Sequence, residues 1–123
     1  MQEAPRRVTQ QVLQITFMLN MYHAELARVL HLRCGDIGQL ASGQTCLQRD
    51  TQAWRQAKKF IRFYHQLDSW KGGDEVAINH WFRKPLKTLG STPHLLIIDE
   101  DRLDDVLNWL TLPESEKSLA SNF

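Results

Sequence analysis

Apolar residues recur along this chain at spacings of three and four, and no window alternates with period two for long. That pattern predicts helices almost throughout and an all-α fold. Val8, Val12, Ile15 and Leu19 form one stripe, with Thr9 as the N-cap of a helix running to about Asn20. A second helix, about His23 to Leu30, places Leu26, Ala27 and Leu30 on one face. A third, about Cys34 to Ala41, presents Ile37 and Leu40 and ends at a C-cap, Gly43. The fourth, about Asp50 to Leu67, lines one face with Trp54, Ala57, Ile61 and Tyr64. Its other face carries Arg55, Lys58, Lys59 and Arg62, a row that either holds phosphate or is the solvated side of the helix.

Lys71-Gly72-Gly73-Asp74 interrupts the helical pattern and supplies an N-cap, so the subdomain boundary is placed there. A helix from Glu75 to about Arg83 follows. Pro85, Gly90 and Pro93 then punctuate the chain too closely for a long helix to cross them. Thr92-Pro93 reads as N-cap and first helical position of a short helix through His94–Ile97. A last helix, about Asp101 to Leu110, carries Leu103, Val106, Leu107 and Leu110. The expected organisation is residues 1–70 as one helical subdomain, 71–111 as a second, and 112–123 as a flexible tail whose terminal Phe123 could serve as an anchor.

Length and charge narrow the reading. At 123 residues the chain holds one compact domain or two small subdomains, not a large multidomain enzyme. Its formal net charge of +1 suggests neither a nucleic-acid binder nor a disordered chain. That total hides an asymmetry: residues 1–98 hold thirteen basic and seven acidic side chains, a net of +6, and residues 99–123 hold two and seven, a net of −5. The two ends should favour different partners. No apolar run approaches the roughly 20 residues that span a bilayer, and MQEAPRR lacks the apolar stretch of a signal peptide, so a cytoplasmic protein without membrane partners is expected. Cys34 and Cys46 then remain thiols.

The stretch AELARVLHLRCGDIGQLASGQ, Ala24 to Gln44, resembles the helix-turn-helix of Xre, or phage-repressor-like, regulators. Ala27 sits where two crossing helices need a small residue, with Ile37 and Leu40 ten and thirteen residues further on and Leu26 and Leu30 completing the core. The resemblance implies that the second helix enters the major groove of operator DNA, with Arg33, Cys34, Asp36 and Gln39 toward the bases, Gln44 near a phosphate and Arg28 on the backbone. Two features depart from the pattern. His31 replaces the turn glycine, and CGDIGQLA carries no Arg, Lys or Asn, leaving Gln39 as the one good adenine reader.

A second stretch, Val76 to Leu110, resembles the toxin-binding domain of Xre/MbcA/ParS antitoxins through Trp81, Pro85, Leu89-Gly90-Ser91-Thr92-Pro93, Leu95-Leu96 and Val106. One glycine stands at Gly90 where that family commonly has a pair, and Arg83-Lys84 precedes Pro85. Gly90 permits the turn, Thr92-Pro93 restarts a helix, and Trp81 is expected to pack beneath both. Together the two resemblances imply a non-enzymatic antitoxin, a homodimer or a hetero-oligomer with its toxin, that occludes a RES-type (NAD-targeting) toxin and binds its own operator. Trp81, Arg83, Pro85, Gly90, Thr92, Pro93, Asp101 and Asp105 would then form the toxin-binding side, together with Thr111 to Phe123. The alternative is a stand-alone repressor whose C-terminal helices only dimerise it.

Other chemistry is set aside. His94-Leu-Leu-Ile-Ile-Asp99-Glu100 imitates a Walker B strand, but no G-x-x-x-x-G-K-[ST] loop accompanies it, and a short buried helix with acidic residues after it is the simpler account. His31, Cys34 and Cys46 lack the paired spacings of a structural zinc site. Asp99, Glu100, Asp101, Asp104 and Asp105 offer carboxylates without an accompanying nucleophile, so no catalytic residue, metal or cofactor is assigned.

Overall fold

The computed structural model describes residues 4–120, with side chains through Lys117. Phe123, expected as an anchor, lies outside the described residues. The fold is all-α: α1 (Pro5–Met18), α2 (His23–Leu30), α3 (Cys34–Ser42), α4 (Gln52–Lys71), α5 (Glu75–Phe82), α6 (Pro93–Ile98), α7 (Leu103–Leu110) and α8 (Glu114–Ala120). The only extended pairing among the described residues is an isolated antiparallel bridge between Leu86 and Ser91.

The chain divides into two compact units, the first ending at Arg62 and the second starting at Phe63. The division falls inside α4 rather than at the Lys71–Asp74 break, because Phe63 and Leu67 are fully buried and tie the second half of α4 to the C-terminal unit. Phe63 packs on Trp81 and Phe82 of α5 with ring centroids 6.4 and 6.1 Å apart. The charge asymmetry follows the units: the first holds nine basic and four acidic residues, a net of +5, and the second six and ten, a net of −4.

In the N-terminal unit α1 begins earlier than the pattern predicts. Ala4 is its N-cap and Pro5 occupies the first turn, where a fixed φ and a missing N–H cost nothing. Thr9 is therefore not a cap but an interior residue. Its hydroxyl donates to Pro5 O at 2.7 Å and accepts the buried Leu47 N–H at 2.9 Å, tying the segment after α3 to α1. Val8, Val12, Leu19, Leu26, Leu30, Ile37, Leu47 and Ala57 are buried in this unit, one stripe from each helix.

One device closes several helices. After α1, α2, α3 and α4 an N–H reaches back five residues: Met21 to Thr16 O, Leu32 to Ala27 O, Gln44 to Gln39 O and Gly73 to Asp68 O. The residue before each donor takes a left-handed conformation, at Asn20, His31, Gly43 and Gly72. This is the Schellman closure, which satisfies carbonyls that a helix end would otherwise orphan. The Gly72-Gly73 pair stops α4 at Lys71, one turn beyond the expected Leu67.

In the C-terminal unit Asp74 caps α5, accepting from Val76 N at 3.1 Å and Ala77 N at 3.2 Å. Thr92 caps α6, accepting from Leu95 N at 3.1 Å, with Pro93 in the first turn as its sequence predicts. Segment 94–98 is thus helical and largely buried, not a strand. Ile78, Phe82, Leu86, Leu96, Ile97 and Val106 are buried in this unit. The expected flexible tail is instead partly helical: α8 starts after Pro113, and Lys117 Nζ donates to Leu112 O at 2.9 Å.

Candidate functional site

The α2–α3 pair is built by matching N-termini and a strained turn. Tyr22 and Arg33, the N-caps, make no side-chain capping bond of their own. The acid three residues on reaches back instead: Glu25 Oε1 accepts from Tyr22 N at 2.9 Å, and Asp36 Oδ2 from Arg33 N at 3.1 Å. Between the helices His31 stands at φ 61°, ψ 40°, in the conformation that glycine usually supplies. For a residue with a Cβ this costs roughly 1–2 kcal/mol. The Schellman bonds and a 2.7 Å contact between His31 Nδ1 and Gln52 Nε2 at the start of α4 hold it there.

Arg28, Arg33, Cys34, Asp36, Gln39 and Gln44 are all exposed. Their roles are unequal. Asp36 is engaged as the cap of α3, which places a carboxylate at the helix end whose dipole would otherwise attract phosphate. Gly35 and Gly38 leave the exposed side of α3 without bulk. Asp36 and Gln39 also border a groove of about 360 Å³ whose other walls include His31, Leu40, Cys46 and Gln52. On α4, Arg55, Lys58 and Arg62 are exposed and Lys59 is half-buried, so the basic row projects from the N-terminal unit largely as its spacing predicts.

The C-terminal unit offers a corner and an aromatic cluster. In the corner, Gly90 takes φ +81° and its N–H bonds Leu86 O at 2.9 Å, while Leu86 N bonds Ser91 O at 2.9 Å, which turns the chain into the Thr92-Pro93 start of α6. Arg102 supports this corner, a residue the sequence reading missed. Its Nε donates to Asp105 Oδ2 at 2.7 Å and its Nη1 to Leu89 O at 3.3 Å. Arg83, Pro85, Gly90 and Asp101 are exposed, Thr92 and Asp105 half-buried, and Pro93 buried.

Trp81 is only 5% exposed and Pro93 is buried, so in this conformation both are core residues rather than direct partner contacts. Trp81 belongs to a triangle of indoles from three helices: Trp70 on α4, Trp81 on α5 and Trp109 on α7. Their centroids lie 5.5 to 5.8 Å apart, within the range where tilted and edge-on aromatic pairs attract. Beside the Gly90–Pro93 corner the ring packed on His94 is that of Phe82, at 5.2 Å. The three indole N–H donors are not equally satisfied. Trp70 Nε1 donates to Glu114 Oε2 of α8 at 3.0 Å, whereas Trp81 Nε1 and Trp109 Nε1 are buried without a hydrogen-bond partner among the described residues.

Cations gather at Trp70. Lys71 Nζ lies 3.9 Å and Lys117 Nζ 5.3 Å from its ring centroid, within cation–π range. Burial pulls the Lys71 ammonium below its ordinary value, Glu114 pushes it back up, and Lys84 lowers it further. Spacing could not reveal this arrangement, because its members stand far apart in the chain.

Among the described residues no group of three His, Cys, Asp or Glu side chains is placed to hold a metal ion, and no helix is long and apolar enough to cross a membrane. No protein-family model matches this chain, and no curated protein matches it either.

Proposed function

We propose that this protein is a helix-turn-helix antitoxin of the Xre/MbcA/ParS kind: its C-terminal unit binds and blocks a RES-type, NAD-targeting toxin, and its N-terminal unit engages operator DNA. The observation that supports the reading is a pair of local geometries in one short chain, one in each compact unit. One is the α2–α3 pair joined through a left-handed residue at His31. The other is the Gly90–Pro93 corner, with Trp81 on the helix before it. Inhibition is by occlusion, so the protein performs no chemistry of its own.

On the DNA side the proposal gives backbone affinity more weight than base reading. Arg55, Lys58 and Arg62 are three exposed cations in one row, whereas α3 contributes Gln39 and a carboxylate already committed to its own cap. If three phosphates are neutralised, log K should fall with log salt at a slope near −2.7, roughly 0.9 per phosphate.

The test is co-expression with the protein encoded beside it. The expected result is a stable complex in which NAD consumption by the partner ceases, together with operator binding whose sequence preference R33A/Q39A removes without releasing the partner. Loss of both activities in R33A/Q39A would refute the two-unit division. A chain that captures no toxin while holding a two-fold operator would replace this reading with that of a stand-alone repressor.

A further inference from the structure

We propose that the groove beside α3 is a binding site for a small organic amine, an ammonium group carried on an apolar body. The inference goes beyond the antitoxin reading and does not depend on it.

All of the groove belongs to the N-terminal unit. Its walls come from the α2–α3 turn, from α3, from the segment after α3 and from the start of α4. At about 360 Å³ it falls within the range of small-molecule sites, about 300–1,000 Å³. The walls divide by depth. Leu40, Leu47 and Ala53 are buried and form an apolar base, whereas Asp36, Gln39 and Thr45 are exposed and stand at the rim. Bonds outside the groove fix those walls before anything enters. The Leu47 N–H is held by Thr9 of α1, and the His31–Gln52 contact ties the α2–α3 turn to the start of α4. A site formed in advance loses little affinity to ordering its own side chains.

Charge selects the occupant. Among the described residues that line the groove, Asp36 is the only Asp, Glu, Lys or Arg. It is an acid in a unit whose net charge is +5, and no cation pairs with it among the described residues. Its Oδ2 accepts the Arg33 N–H, which leaves Oδ1 for a ligand. One carboxylate oxygen suits an ammonium, a point charge, better than a guanidinium, whose planar fork asks for both oxygens. Gln39, one turn further along α3, adds a side-chain carbonyl to the same groove, and Thr45 adds a hydroxyl. Neither side chain has a hydrogen-bond partner among the described residues, so both are ready acceptors for further N–H bonds. An anion would be repelled by Asp36. An amine with its charge at Asp36 and its body against Leu40, Leu47 and Ala53 satisfies rim and base together.

Cys46 supplies the readout, because its half-buried thiol lies in the groove wall. The test uses the full-length Cys34→Ser protein, in which Cys46 is the only thiol, with phenethylamine as the probe and 2-phenylethanol as its uncharged counterpart. Phenethylamine should slow the alkylation of Cys46 by iodoacetamide in a saturable way and shift the amide NMR signals of Gln39, Thr45 and Gln52. The alcohol should bind about fivefold more weakly, the factor that an exposed ion pair supplies. Adding Asp36→Asn keeps an acceptor for the Arg33 N–H, so α3 stays capped, and should remove that preference. If D36N lowers the far-UV helical signal, 3-phenylpropionate in the parent protein decides instead: this anion of similar shape should bind more weakly than the alcohol. Equal affinity for amine and alcohol, an unchanged preference in folded D36N, an anion bound as tightly as the amine, or protection of Cys46 that does not saturate would overturn the proposal. Neither toxin nor operator enters these measurements, so the antitoxin reading stands or falls separately.

Discussion

Two glycines of the same short helix, one in its interior and one at its C-cap, should respond to the same substitution with opposite signs. Gly38 lies in the middle of α3, and a Cβ built on it meets no atom within 4 Å. The residue contributes only backbone freedom to the unfolded chain, so Gly38→Ala should stabilise by about 1 kcal/mol. Gly43 is also open to a Cβ, yet it stands at φ +84° as the residue that lets Gln44 N reach Gln39 O. Gly43→Ala must hold an L-residue in the left-handed region and should destabilise by about 1–2 kcal/mol, less a few tenths for the stiffer unfolded chain.

Thermal unfolding followed by circular dichroism reads both changes. With an unfolding entropy of about 2.1 cal/mol/K per residue, 1 kcal/mol corresponds to about 4 °C if the whole chain melts together, and to about 8 °C if the N-terminal unit melts alone. The size of the shift thus reports the cooperativity of the two units, and the sign reports the backbone argument. A lowered Tm for Gly38→Ala would refute the open space around its Cβ position, and a raised Tm for Gly43→Ala would refute the Schellman assignment. Should α3 lie close against DNA, Gly38→Ala will weaken operator binding while it stabilises the protein.

Three further outcomes follow from single contacts. Thr9→Val should cost about 1–3 kcal/mol in urea denaturation, since it strands the buried Leu47 N–H, and Thr9→Ser should restore most of the loss. Asp74→Ala should cost about 1 kcal/mol and speed amide exchange at Val76 and Ala77, with Asp74→Asn nearly silent, because both substituents are judged by the N-cap bonds they can make. Tyr64 should ionise above its ordinary value of 10.0, because burial, then Asp68 and Glu75, disfavour the phenolate. A 295 nm titration of the Y22F variant isolates it. With the folded-state value raised, its contribution to stability is complete below pH 10.0 and is lost as pH climbs through the folded value, a slope that Tyr64→Phe removes.

Some of this molecule was legible in its sequence and some was not, for reasons that particular residues make plain. The α2–α3 pair was readable because Ala27, Ile37, Leu40 and Gly43 act at fixed short spacings, and so was the start of α6, where Thr92 and Pro93 are adjacent. Thr9 was misassigned because a threonine before an apolar stripe suits an N-cap. The pattern cannot see that Pro5 starts the helix earlier, or that Leu47, thirty-eight residues away, supplies the donor. The helix over 114–120 was invisible because ESEKSLA has almost no apolar periodicity, and the residue that steadies it, Trp70, lies forty-four positions before Glu114. The indole triangle draws one ring from each of three helices, and no local spacing encodes such a meeting.

The charge distribution was legible too, but its meaning changes at the scale of a site. The N-terminal unit is basic as a whole, yet the N-terminal end of α3 is closed by the carboxylate of Asp36, and a row of exposed cations stands on α4. The C-terminal unit is acidic as a whole, yet Lys71 and Lys117 lie over the Trp70 ring. In each unit the local charge opposes the total. Long-range attraction depends on the total and contact depends on the local groups, so a partner can be drawn toward a unit by one and accepted or refused by the other. For the N-terminal unit this separates affinity for phosphate, which α4 can supply, from the reading of bases, which α3 is poorly equipped to do.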